Sequence, residues 1–358
     1  MKVDKQKIAA AFQAAATVLL GIDGYVDEVW ELVENRDEDN KVALYTHMGK
    51  FAQRIIGAAG GGMSVELLRK RRSFGGFTAN TGNAVAKLGL DTTMLCMYGK
   101  DQLDPVFEPF NEMCRIISIG APAVTQIFEF DDGKIMLPYI EPIIDFGWKF
   151  LVDALGVEKV ASLLASAGVI AFGYWSSMPA FDEVIAEICA CLPQGSKTRI
   201  FTDFADLRKR NEPSLIKTLA LLKELNKKVP MTFSMNEHEA AQVFALYGNA
   251  LSAKEPPEAA CIEEVRKEMG LDEIVVHTPY YAAAASSTET ATIVPQRFTE
   301  KPVRTTGAGD TFNGAYVGSI ASKLSMADRL WFANAVVSYF LNNGDAPSLT
   351  QVLEANND

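Results

Sequence analysis

The run Thr305-Thr306-Gly307-Ala308-Gly309-Asp310-Thr311-Phe312-Asn313-Gly314-Ala315 holds the residues best suited to chemistry. Small side chains let backbone N–H groups come close to a phosphate. A helix that starts there adds unpaired donors and a positive dipole end. A carboxylate in its first turn, Asp310, can take a proton from a hydroxyl while the same donors stabilise a transferring phosphoryl group. The plainer alternative is that Asp310 only caps a helix, where Asp is favoured. The length of the small-residue run favours phosphoryl chemistry.

Three further clusters carry polar groups at positions where ligands bind. Asp23 and Asp27 follow the apolar run 17–22. The carboxyl ends of buried strands open onto the crevices of α/β sheets, and carboxylates there can accept hydrogen bonds from sugar hydroxyls. Asp23 could equally form the turn before Gly24. Asn80, four residues after Gly76, has both a donor and an acceptor for a hydroxyl, or else N-caps the helix that follows; Asn83 is the nearby substitute. Asn236 and Glu239 follow the run 231–234 three residues apart. They form either a capping-box start or a set of hard oxygen ligands suited to Mg²⁺. His238 is expected to face solvent and His277 to pack in a strand.

The elements that must position these groups follow from periodicity. Short apolar runs at 17–22, 92–98, 168–172, 199–203, 231–234 and 273–278 read as strands. Helix-period segments lie between them at 79–88, 179–191, 214–227, 237–247 and 257–269, with helices at 309–322, 326–341 and 348–355. Such alternation predicts a mostly parallel sheet with helices on both faces. Residues 124–130 and 135–140 flank Asp131-Asp132-Gly133-Lys134, a hairpin signal, which places a small β lid at about 120–145. Residues 31–72 are expected to form a helical insert. No linker divides the chain, so residues 1–358 read as one α/β domain.

Composition excludes several classes. A net charge of −11 and a pI near 5.0 argue against a nucleic-acid partner. Arg69-Lys70-Arg71-Arg72 reads as the basic C-terminus of a helix, with phosphate binding the second reading. No Arg or Lys stands out as a partner for a phosphate on an acceptor. Five irregularly spaced cysteines suggest free thiols in a reducing cytosol. The apolar stretch at 8–20 reads as a short helix running into a strand. No run is long enough to span a bilayer, so a cytoplasmic location with no membrane partner is expected. Gly21-x-x-Gly24 lacks the spacing of a dinucleotide-binding dehydrogenase.

The 305–315 run resembles the second signature of the PfkB/ribokinase family of carbohydrate and nucleoside kinases. Gly75-Gly76-x-x-x-Asn80 with Leu88-Gly89 resembles the family's first signature, and 21–27 its opening segment. Asn236-x-x-Glu239 is similar to its magnesium-organising element. The resemblance implies a ribokinase-like fold and an ATP- and Mg²⁺-dependent kinase for a hydroxyl of a sugar-like molecule. It assigns Asp310 as base and Gly307, Ala308 and Gly309 as anion hole. Asp23, Asp27, Gly75, Gly76 and Asn80 are assigned to the acceptor. Asn236, Thr278, Thr306 and Asn334 go to the nucleotide, and Glu239 to Mg²⁺ through water. Asp203 and Arg208 fall where relatives keep nucleotide contacts.

The chain also departs from the family. Arg304 stands where relatives have an Asp that holds a monovalent cation, so activation by K⁺ is expected to be absent. Thr278-Pro279-Tyr280-Tyr281-Ala282-Ala283 replaces a glycine turn near the phosphates, and Gly99 to Asp104 only partly matches another family turn. The altered turn motivates an alternative, a non-catalytic sugar or nucleotide sensor. A nucleoside kinase is a further alternative, and a homodimer through the lid is implied by some relatives.

Overall fold

The computed structural model describes residues 4–355. Its strands, in chain order, are β1 (Val18–Gly21), β2 (Tyr25–Arg36), β3 (Val42–Leu44), β4 (Leu67–Gly75), β5 (Thr92–Cys96), β6 (Arg115–Ser118), β7 (Ala123–Phe130), β8 (Gly133–Tyr139), β9 (Val169–Phe172), β10 (Arg199–Asp203), β11 (Met231–Asn236), β12 (Glu273–His277), β13 (Tyr281–Ser286) and β14 (Thr292–Pro295). Nine of them form one sheet in the order β14-β13-β12-β11-β10-β9-β1-β5-β6. Seven run parallel, and β13 and β14 close the edge antiparallel.

The central strands are apolar on both faces because helices cover both faces. Leu19, Ile170 and Phe172 pack with the Phe181–Cys191, Glu212–Asn226 and Ala259–Met269 helices. Their neighbours Val18, Leu20, Val169 and Ala171 face the opposite layer, with Phe77–Lys87, Ala308–Ala321 and Met326–Asn343. Successive side chains thus alternate between two cores. All five cysteines are free. No described helix is long and apolar enough to cross a membrane.

The lid is larger than expected. β2 pairs with β4, β7 and β3, and β8 extends β7, giving a five-stranded second sheet. The hairpin of β7 and β8 turns at Asp131-Asp132, as its sequence signal indicated. The expected helical insert at 31–72 is corrected: its only α-helix is Met48–Gly57, and the rest is parts of β2, β3 and β4 joined by irregular segments. Glu28, Glu31 and Glu34 recur every three residues, which imitates a helix face. In β2 each instead meets a cation from outside the strand: Arg72, Lys70 and Lys50.

The basic run also differs from expectation. Arg69–Arg72 lies in β4, not at a helix end. Arg69 stacks over Trp30, and Lys70 pairs with Glu31 and Glu129. Arg72 binds both oxygens of Asp104 at 2.6 Å, a bidentate tie from the lid to the loop after β5. Arg71 is left without an ion-pair partner among the described residues.

Candidate active site

The Ala308–Ala321 helix begins from Gly307, whose φ of +89° suits a residue without a Cβ. This geometry puts Asp310 in the first turn, at the positive end of the helix. Two partners fix its carboxylate. Tyr174 Oη donates to Oδ1 at 2.8 Å, and Asn80 Nδ2 donates to Oδ2 at 3.0 Å. Burial raises the Asp310 pKa well above its ordinary 3.8, and nearby Asp203 pushes the same way. A carboxylate with a raised pKa is the stronger proton acceptor.

Asn80 does not cap a helix. It lies inside Phe77–Lys87, whose N-cap is Gly76, and its side chain reaches across to Asp310. Asn83 instead donates to Asp345. The capping role belongs to Asp23, which is 2% exposed. Its two oxygens accept the backbone N–H of Phe77 at 2.8 Å and Thr78 at 2.7 Å. Both Asp23 oxygens are thus engaged at the start of this helix, a structural role beside the one the resemblance assigned to it.

Asp27 sits on β2 against Gly75, where a Cβ would fall 2.6 Å from its Oδ2. Gly75 is therefore required by Asp27, and Gly76, at φ +86°, makes room for Asp23. Burial raises the Asp27 pKa, while Arg304, Lys134 and Arg71 oppose that rise.

A cavity of about 660 Å³ opens along the carboxyl ends of β10, β11 and β12. Gly307, Ala308, Gly309, Asp310, Thr278 and Asn334 line it, together with Asn236 and Glu239. Asn236 and Glu239 form a capping box: Asn236 accepts from the N–H of His238 and Glu239, and Glu239 accepts from Asn236 N and Nδ2. Cap and site coincide, because the box holds the Glu239 carboxylate at the cavity wall. Burial raises the Glu239 pKa well above 4.5, with Asp203 the next cause. His238 is exposed and His277 packs half-buried at the end of β12, as expected, but His277 also lines the cavity. Burial lowers its pKa to about 4, so it is neutral at pH 7.

Residues missed from sequence complete this wall. Tyr174 follows β9, and the rule that ligands collect at carboxyl strand ends points to it. Asp203, only loosely placed from sequence, accepts from Asn313 Nδ2 and Ala205 N, both at 2.7 Å. Asn313 is the residue of the 305–315 run that aims this second acid. Exposed Arg208 pairs with Asp206 and does not itself line the cavity. Tyr280 does not block the cavity: its ring stacks on Phe298, and Thr278 Oγ1 accepts the N–H of Tyr280 and Tyr281 to close the turn. Thr306 lies outside this cavity. It lines a second one of about 500 Å³ beneath the lid and accepts a 2.9 Å hydrogen bond from Lys134 Nζ.

The profile of the family described as prokaryotic ketohexokinase matches residues 2–358. The chain belongs to that family. A ketohexokinase of Haloferax volcanii is 27% identical over 344 residues, covering 94% of this chain and 89% of the relative. Among solved structures, the Arabidopsis thaliana ribokinase complexed with ribose and ATP superposes with a TM-score of 0.67 at 16% identity, covering 95% of this chain and 98% of that one. The Cryptococcus neoformans ribokinase in complex with ADP gives 0.64 at 16% identity, covering 95% and 100%. The fold is ribokinase-like and the protein is a carbohydrate kinase of the PfkB/ribokinase family; the sensor and nucleoside kinase alternatives are not favoured.

Proposed function

We propose that this carbohydrate kinase transfers the terminal phosphate of ATP to a hydroxyl of a ketohexose, with Asp310 as the base. The observation that carries the reading is the Asp310 carboxylate, held by Tyr174 and Asn80 in the first turn of a glycine-started helix, on the wall of the larger cavity. The relative's name supplies the sugar class, and ATP in the ribokinase complex supports the donor.

In this reading the nucleotide occupies the cavity beside β10–β12, with Thr278 and Asn334 along its wall. The acceptor approaches from the lid side, with Asp27 toward its hydroxyls. Asp310 takes the hydroxyl proton as the oxygen attacks, and the amides of Gly307, Ala308 and Gly309 meet the charge that develops on the phosphoryl oxygens. Asn80 and Tyr174 keep the carboxylate aimed.

No described cluster of three His, Cys, Asp or Glu side chains forms a metal cage. Burial raises the Glu239 pKa, and the charge of nearby Asp203 raises it further, so these two carboxylates favour a cation beside them. That arrangement fits Mg²⁺, which keeps several waters and rides on nucleotide phosphates. Glu239 and Asp203 would hold those waters, and the ion would neutralise phosphate charge.

The test is Mg²⁺-dependent ADP release with ATP and a panel of ketohexoses, aldoses and nucleosides. Stimulation confined to ketohexoses supports the reading. Equal stimulation by nucleosides, or none by any sugar, contradicts it.

A further inference from the structure

The cavity beneath the lid gathers cations that are distant in sequence. Lys70 and Arg71 come from β4, Lys134 from the start of β8, and Arg304 from the segment leading into the anion loop. Lys70 is neutralised by Glu31 and Glu129. Arg71, Lys134 and Arg304 make no ion pair within the described residues. Asp131 is the remaining acid on the cavity wall.

Arg304 is the informative member. Its Nε is buried with no hydrogen-bond partner, and its guanidinium lies 5.5 Å over the Phe340 ring. Burial lowers its pKa and the facing Arg71 lowers it further, while Asp27, Asp345 and Asp310 partly compensate. Two guanidiniums that repel each other, one with a buried unpaired donor, are costly unless an anion enters between them. Lys134 completes the third side through its hydrogen bond to Thr306 Oγ1, next to Gly307. The cavity of about 500 Å³ is large enough for a sugar ester.

We propose that Arg71, Lys134 and Arg304 form a binding site for a phosphate monoester carried by the sugar, on the lid side of the loop that bears Asp310. This rests on the sugar-kinase reading for the identity of the sugar, but not on turnover. A guanidinium pair suits phosphate better than a neutral hydroxyl because it offers forked donors to several oxygens at once. The ester has two possible sources with the same chemistry: the one the reaction makes, or one the acceptor brings.

Calorimetric titration of the full chain with fructose, fructose 1-phosphate and fructose 6-phosphate, all without nucleotide, tests the site. At least one ester is expected to bind tighter than the free sugar. Arg304→Ala and Lys134→Ala should each weaken that ester by about tenfold to a hundredfold, the range of a charged hydrogen bond, and leave the free sugar nearly unchanged. Lys159→Ala, an equal charge change on the exposed face of another helix, should leave the ester unchanged. An effect on the 1-phosphate alone identifies the reaction's own product. An effect on the 6-phosphate, joined by its phosphorylation in the wild type, identifies an incoming ester. Ester binding no tighter than free sugar, or unaltered in both variants, overturns the proposal. Lys134 is exposed, so Lys134→Ala keeps the test valid if Arg304→Ala does not fold. Turnover of fructose in the same preparations reports separately on the sugar-kinase reading.

Discussion

The two cavities that meet at Thr305 carry opposite charge. The one beside β10–β12 is walled by Asp203, Asp206, Glu237, Glu239, Glu300 and Asp310, whereas beneath the lid Lys70, Arg71, Lys134 and Arg304 outnumber Glu31, Glu129 and Asp131. An acidic wall repels a bare triphosphate, so a nucleotide fits there only when it arrives with its own cation. The basic wall needs no such escort. The difference divides the labour of handling phosphate: metal and backbone amides on one side, side-chain cations on the other.

The junction should be the most sensitive point. Asp310→Asn is expected to lower kcat by about 10² to 10⁴-fold, the contribution of a positioned general base. The same variant should be more stable at neutral pH. A carboxyl whose folded pKa is raised favours the folded state below the unfolded pKa and loses that contribution as pH rises through the folded one. The amide does not titrate, so thermal melts of the variant should flatten across that range where the wild type declines. A variant that is less stable at every pH would show that the carboxylate is structural.

The acidic wall comes next. Glu239→Gln should raise the Mg²⁺ concentration needed for half-maximal rate and lower kcat by about 10- to 100-fold, as expected for groups that act through metal-bound water. An unchanged Mg²⁺ titration would leave the capping box as its only role. Because Asp310 must be ionised to accept a proton, kcat in the wild type should fall as pH drops through its raised pKa. A profile flat down to the ordinary carboxylate range would contradict the burial argument.

The smallest effect concerns the basic wall. Arg304 already supplies positive charge beside the anion loop, so exchanging Na⁺ for K⁺ should leave kcat unchanged, as steady-state rates in the two salts would show. Clear activation by K⁺ would mean that the guanidinium does not fill this place.

The same division governs what could be read from sequence. The acidic side was legible because its key residues are local: 305–315 is contiguous, and Asn236 and Glu239 lie within one helical turn. The six apolar runs became strands for the same reason. β13 escaped notice because Tyr-Ala-Ala-Ala-Ala-Ser has little β propensity; it is a strand because small side chains fit beneath the helices that bury it. The basic side is made by tertiary structure. Arg71, Lys134 and Arg304 are brought together by a five-stranded lid whose first strand imitates a helix in its glutamate spacing. The capping role of Asp23 was not legible, because a capping carboxylate and a ligand carboxylate look alike until the backbone N–H groups they meet are known.

The most direct test of the account is the ketohexose-stimulated, Mg²⁺-dependent release of ADP from ATP, measured for the wild type and Asp310→Asn side by side. The account predicts stimulation in the wild type and its loss in a folded variant that still binds ATP. Near-normal turnover in Asp310→Asn would contradict it.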